Sequence, residues 1–237
     1  MSERPKSAMG VIAVDRALSI LDAFRGSARP LSLKDISERT GLYKSTVLRL
    51  LGSLETFGYV RRLDIGGYNL GPKLAELAAD YRASFNLEPY VQPVLDSIVI
   101  ATNENASFYV PEGDKRICLF RSEAAQMIRD YVRVGDALEA TQGASGKAIT
   151  AFLNGLPDTV DPESLVFNSV GERHPDMAAV ASPVFGLGGA LVGALTISGP
   201  KSRFNAKERK NYARTVLREA IALSERLGVE PNSLPRV

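Results

Sequence analysis

Tryptophan is absent from this 237-residue chain, and cysteine and histidine occur once each. A single thiol, Cys118, permits no internal disulfide and no thiolate cage for zinc. The lone histidine, His174, would have to serve any histidine-based catalytic triad alone, and it sits in the loop-like stretch ERHPDM. Long apolar runs are missing too. None approaches the roughly 18 residues that span a bilayer. The start, MSERPKSAMGV, has no apolar core of a secretion signal, so a cytoplasmic protein is expected. No HExxH, no paired CxxC and no Rossmann glycine pattern occurs, and the carboxylates form no convincing pair. Cys118 lies among Ile117, Leu119 and Phe120, where a small buried hydrophobe is expected rather than a nucleophile. These absences argue against an enzyme, and nothing calls for a cofactor or a metal.

What is present is ordinary in bulk and uneven in place. Hydrophobic residues make up 45% and charged residues 24%, and the net charge is +2. Residues 1–80 hold 12 basic and 9 acidic side chains, and the remainder 17 and 18. That asymmetry is compatible with a nucleic-acid-binding N-terminal part without establishing one.

Val14, Ala17, Leu18 and Leu21 recur at helical spacing, and Ile20 and Phe24 widen that face. Gly26 to Pro30 ends the helix. Ser32 opens a second, with Asp35 three residues on as its capping partner. Gly41 then supplies a tight turn. A third helix is expected from about Lys44 to Phe57, with Val47, Leu50, Leu51 and Leu54 inward and Gly58 as its cap. Tyr59–Leu63 and Tyr68–Leu70 read as strands around the turn Asp64-Ile65-Gly66-Gly67. This order is that of a winged helix-turn-helix.

The inward set fixes the rotation of the third helix. Lys44, Ser45, Thr46 and Arg49 then face outward, as the N-terminal part of a recognition helix does. Arg49 suits bidentate reading of guanine, and Lys44, Ser45 and Thr46 suit phosphates or bases. Ser32 and Lys34 begin the preceding helix, whose N-terminus can hold a phosphate. Arg61 and Arg62 lie on the wing, where basic side chains meet the DNA backbone or the minor groove. Taken alone, such a helix is most often merely solvated. The whole order shifts the balance to double-stranded DNA, and a winged helix that binds protein is the competing reading.

Pro72 opens a connecting helix with Leu74, Leu77, Ala78 and Tyr81 on its apolar side, and Glu88-Pro89 begins another. ASFYV and RICLFRSE read as strands joined by a turn at Pro111–Asp114. IRDYV, SLVFN, MAAVASPVF and ALVGALTIS also read as strands, with a helix from about Ser145 to Leu153 among them. Asn205, with Glu208 three residues on, caps a long last helix. Strands without regular βαβ alternation predict an α+β domain with a mainly antiparallel sheet. In GASGKA the open backbone N–H groups of a helix start favour a carboxylate. A P-loop is excluded, because Thr141 and Ala148 stand where glycine and a hydroxyl residue are required. Thr196 and Ser198 alternate along one strand, so both hydroxyls share a face. They either bind a ligand or satisfy nearby backbone groups.

The stretches AVDRALSILDAF, LSLKDISERTGLYKSTVLRLLGSLETFGYVRR and YNLGPKLAELA resemble the IclR family of bacterial transcriptional regulators. So do RVGDALEATQGASGKAITAFL and VASPVFGLGGALVGALTISGP. The resemblance covers about residues 11–227. It implies a winged helix-turn-helix at 11–71, a linker helix at 72–85 and a GAF-like effector-binding domain at 86–228. It also implies a homodimer or homotetramer on a palindromic operator, repressing or activating a catabolic operon in response to a small organic acid or aromatic metabolite. A single winged helix buries little surface on DNA, which is a physical reason for two copies. By resemblance the effector-binding residues fall at Met127, Ala144, Ser145, Ser169, Met177, Ala179, Thr196 and Ser198.

One departure stands out. Only FLNGLPDTVDPESLVFNSV separates Ala151 from Gly171-Glu172, shorter than the family's segment, and Ser169 stands where an acidic residue is usual. Either the site is open and suited to a larger ligand, or small-molecule binding is lost and the domain serves oligomerisation or protein interaction.

Overall fold

The computed structural model describes residues 10–127, 130–157, 159–230 and 233–235. The chain divides into two compact units between Ser84 and Phe85.

The first unit contains α1 (Ile12–Ala23), α2 (Leu33–Thr40), α3 (Lys44–Thr56), strands β1 (Val60–Arg62) and β2 (Tyr68–Leu70), and α4 (Lys73–Phe85), which reaches the division. Ser32 and Asp35 close a reciprocal capping box: the Ser32 hydroxyl accepts the Asp35 N–H at 3.1 Å, and the Asp35 carboxylate accepts the Ser32 N–H at 2.9 Å. The Ser32 N–H and the Ser32 hydroxyl, both donating to the Asp35 carboxylate, hold that carboxyl below the ordinary range. Gly41 ends α2 with φ 70°, and its neighbour Leu42 is held through Ser37 Oγ, which donates to the Leu42 carbonyl at 2.6 Å. β1 and β2 pair antiparallel to form the wing, and Leu31 bridges to Tyr68. Behind the wing, a Cβ at Gly71 would lie 2.0 Å from the Gly58 carbonyl, so only glycine lets the exit of β2 pass the end of α3.

The core of this unit is Ile20, Phe24, Leu31, Ile36, Val47, Leu51, Leu54, Val60 and Tyr68. It corrects the expected face of α1. Ile20, Ala23 and Phe24 point inward, whereas Val14 and Leu18 are 53% and 52% exposed. The helix is apolar on two sides, and α2 and α3 pack against only one of them. Leu77 and Tyr81 on α4 are also exposed within this unit.

The second unit is α+β. Its six strands run in the order β5-β4-β3-β8-β7-β6, every neighbouring pair antiparallel. They are β3 (Asn105–Glu112), β4 (Lys115–Ser122), β5 (Ala137–Glu139), β6 (Phe167–Val170), β7 (Met177–Phe185) and β8 (Leu191–Pro200). One face of the sheet is covered by α5 (Glu88–Thr102) and α7 (Ala206–Arg226) over Phe108, Val180, Leu195 and Ile197. The other carries α6 (Gly143–Ala151) over Tyr109, Cys118, Ala181 and Ala194. Asn205 caps α7 by accepting the N–H groups of Lys207 and Glu208 at 3.0 Å each.

Two strand expectations need correction. Of IRDYV, Ile128 and Arg129 lie outside the described residues, and Asp130 to Val132 are irregular rather than a strand. Asp130 and Val132 are buried and Tyr131 between them is exposed, the alternation of a strand, but the segment joins no sheet. SLVFN begins in a 3-10 turn, Pro162–Leu165, and only Phe167 starts a strand.

Candidate DNA-reading face and ligand cavity

In the first unit, Val47, Leu51 and Leu54 are buried and turn the opposite side of α3 outward. Lys44, Ser45 and Arg49 are exposed, and Thr46 is half-buried at the edge. At 100° per residue, Ser45, Leu48, Arg49 and Gly52 fall on one arc. Leu48 is 52% exposed and Tyr43, just before the helix, 85% exposed. Neither residue was singled out from the sequence, although an exposed leucine beside an arginine is suited to a thymine methyl. A Cβ at Gly52 would meet nothing within 4 Å, so the middle of the face is flat. Arg61 and Arg62 are exposed on β1, and the Arg62 N–H donates to Glu55 Oε1 at 3.2 Å, fixing the wing to α3. Ser32 is exposed at the start of α2, but its hydroxyl is engaged in the capping box. Lys34 is exposed and 3.8 Å from Glu38.

In the second unit, register creates a polar row on the α6 side of the sheet. Ser169 pairs with Ala179, Ala179 with Ser198, and Ser198 with Asn105, so these four lie in line across β6, β7, β8 and β3. Thr196 sits in the next row of the same face, between Ala181 and Ser107. The start of α6 closes over the rows. Ala144 and Ser145 are buried there, and a Cβ at Gly146 would stand 2.5 Å from the Ala140 carbonyl and 2.9 Å from Arg116 Nη1. Glycine at 146 thus lets a guanidinium lie directly against the helix backbone.

The structure brings seven of the eight expected effector residues, Ala144, Ser145, Ser169, Met177, Ala179, Thr196 and Ser198, to one cavity of about 40 Å³. Met127 is not among them. It is fully exposed on an adjoining groove of about 560 Å³, also lined by Tyr131, Val132 and Arg133. Asp130, His174 and Met177 line both spaces.

Several charged residues at the cavity were not foreseen. Arg116 is 2% exposed, stacks its guanidinium 5.4 Å over the Tyr109 ring and donates through Nη1 to the Glu139 carbonyl. Its Nε has no hydrogen-bond partner, and neither has the buried Thr196 hydroxyl. Burial lowers the Arg116 pKa and raises that of the Tyr109 phenol. Asp130, 4% exposed, pairs with Arg121 and accepts the Ser198 hydroxyl at 2.6 Å. Glu172 pairs with Lys147 and accepts the Gly143 N–H at 3.3 Å. The alternation in KRIC offered a signal: Arg116 shares a strand face with buried Cys118 and therefore points inward. Asp130 gave none, because what holds a carboxylate on the buried side of its segment is Arg121 and Ser198, which spacing does not reveal.

A winged helix-turn-helix joined in one chain to an α+β unit with a cavity between sheet and helix fits a DNA-binding transcriptional regulator, a role that fold alone does not assign. The comparisons agree. Residues 13–64 match the IclR helix-turn-helix domain, and residues 79–157 and 167–225 match the C-terminal domain of bacterial IclR transcriptional regulators. The chain belongs to the IclR family of transcriptional regulators. It is 27% identical to the HTH-type transcriptional regulator XynR of Escherichia coli over 91% of this chain and 97% of the relative. It is 26% identical to the DNA-binding transcriptional repressor YiaJ of the same organism over 96% and 92%. Its fold resembles the Thermotoga maritima IclR structure (TM-score 0.74, 23% identity, covering 91% of this chain and 98% of that one). It likewise resembles an IclR homologue of Microbacterium hydrocarbonoxydans complexed with 4-hydroxybenzoate (TM-score 0.75, 21% identity, 91% and 98%). Family and relatives are regulators and not enzymes. Among the described residues, no helix is long and apolar enough to cross a membrane.

Proposed function

We propose that residues 11–71 read a palindromic operator through Lys44, Ser45, Thr46 and Arg49, with Arg61 and Arg62 on the flanking backbone and Ser32 and Lys34 at a phosphate. The supporting observation is the rotation of α3, which buries Val47, Leu51 and Leu54 and exposes this set together. Residues 72–85 serve as linker, and residues 86–228 sense a small organic or aromatic acid and control a catabolic operon in the cytoplasm. The acid's carboxylate would sit at the start of α6, beside Arg116 and the Thr196 and Ser198 hydroxyls. Its body would extend past Met177 into the groove of about 560 Å³, which is wide enough for an aromatic ring. The apolar residues left outside on α1 and α4, among them Val14, Leu18, Leu77 and Tyr81, support a homodimer or homotetramer.

Fluorescence anisotropy with DNA from upstream of the gene for this chain tests the reading. The expected Kd is nanomolar, on the order of 10⁻⁸ to 10⁻¹¹ M, and weakens steeply with salt. 4-Hydroxybenzoate, as a probe of the acid class, is expected to shift that Kd. A second reading, loss of small-molecule binding in favour of oligomerisation or protein contact, is favoured by one observation: the inner cavity of about 40 Å³ holds only roughly two or three waters. Calorimetric titration with 4-hydroxybenzoate separates the two, because the second reading predicts no heat.

A further inference from the structure

The start of α6 is built to receive an anion and is already holding one. The N–H of Gly143 donates to Glu172 Oε2 at 3.3 Å, while Glu172 Oε1 pairs with Lys147. The positive end of the helix and the buried Arg116 guanidinium stand together there, since an added Cβ at Gly143 would lie 3.4 Å from Arg116 Nη2. Two further groups lining the cavity carry unspent hydrogen-bonding capacity, Arg116 Nε and Thr196 Oγ1, and both residues are no more than 3% exposed. Positive potential and free donors therefore exceed what the chain's own groups use.

The two carboxylates at the cavity are not equivalent. Asp130 is fixed: its side chain is 2% exposed and held by Arg121 and Ser198. Glu172 is one-third exposed and follows Gly171, whose φ is 70°, in the loop before β7. It can leave without stranding a buried charge, and Lys147 keeps a partner in the Asn168 carbonyl at 3.2 Å.

We infer that Glu172 is a tethered competitor: its carboxylate occupies the anion position at Gly143, and a small carboxylate ligand binds by displacing it into solvent. The inference rests on the reading of this cavity as the acid-binding site. A ligand's apparent affinity falls by the fraction of molecules in which the position is open. A carboxylate docked about 90% of the time therefore weakens acetate binding roughly tenfold. It also sets specificity, since a neutral amide or alcohol cannot replace Glu172 against the helix dipole and Arg116.

The test is titration of the full chain with sodium acetate, followed by the Gly143 amide resonance, with acetamide as the neutral control. Glu172→Ala is expected to bind acetate about tenfold or more tightly than the parent, and acetamide to bind neither. Glu172→Asp keeps the charge but draws it back by one methylene. Occupancy predicts a several-fold gain there too. Equal acetate affinity in all three chains would overturn the competitor and leave the acid-binding reading standing. A gain in Glu172→Ala alone would replace occupancy by simple charge repulsion and equally overturn it. Absence of acetate binding in every chain would overturn both.

Discussion

Asp130→Ala tests how the cavity of the second unit is held together. Arg121 and Asp130 side chains are only 3% and 2% exposed, and their ion pair is supported by Ser198 on the carboxylate and by Ser107 Oγ, 2.9 Å from Arg121 Nη1. The Asp130 charge raises the Arg121 pKa against the burial that alone would lower it. Removing the carboxylate strands a buried guanidinium, which costs about 3–5 kcal/mol in comparable pairs. Arg121 keeps Ser107 and the half-exposed Glu123, 3.4 Å away, so the low end, about 3 kcal/mol, is expected here. For a unit of this size that lowers Tm by roughly 6–12 °C. The double variant Arg121→Met/Asp130→Ala removes the stranded charge as well and is expected to recover most of the loss. Urea and thermal unfolding followed by far-UV circular dichroism give both numbers. A loss below about 1 kcal/mol in the single variant, or a double variant no more stable than it, would refute a buried, mutually dependent pair.

Two further perturbations read other parts of the molecule. Burial pushes the Cys118 thiol up to about 12, so at pH 8 its thiolate is on the order of a thousandfold scarcer than that of a free cysteine. Ellman's reagent should label it only after denaturation, and fast labelling of the native chain would place it elsewhere. Gly52→Ala adds a methyl to a helix where nothing lies within 4 Å. It should stabilise α3 by about 0.5–1 kcal/mol and yet weaken operator binding, because the methyl stands among Ser45, Leu48 and Arg49. A more stable chain with unchanged affinity would place Gly52 off the interface.

Legibility followed period and punctuation. The capping box at Ser32, the αL glycine at 41 and the stripe on α3 are local chemistry, and the first unit could be read from them. α1 misled because Val14, Leu18 and Ile20 are equally apolar, and only the packing of α2 and α3 decides which side is covered. In the second unit, the alternation of Thr196 and Ser198 put both on one face, but the row that Ser198 shares with Ser169 and Ala179 depends on strand order between distant parts of the chain. Met127 was assigned by resemblance alone, and the structure leaves it in solvent. Asp130 and Glu172 lie outside the helices and strands and are placed by distant partners, Arg121 and Ser198 for one and Lys147 for the other, so neither could be found by spacing.

The account turns on α3 as the reader of bases. Arg49→Ala, measured by anisotropy on operator and on scrambled DNA of equal length, tests that directly. A bidentate arginine contributes about 1–3 kcal/mol of discrimination. The ratio of operator to scrambled affinity should therefore fall by roughly five- to 150-fold, while the circular dichroism spectrum stays that of the parent. An unchanged ratio would contradict the assignment of Arg49, and with it the face of α3 proposed to lie in the groove.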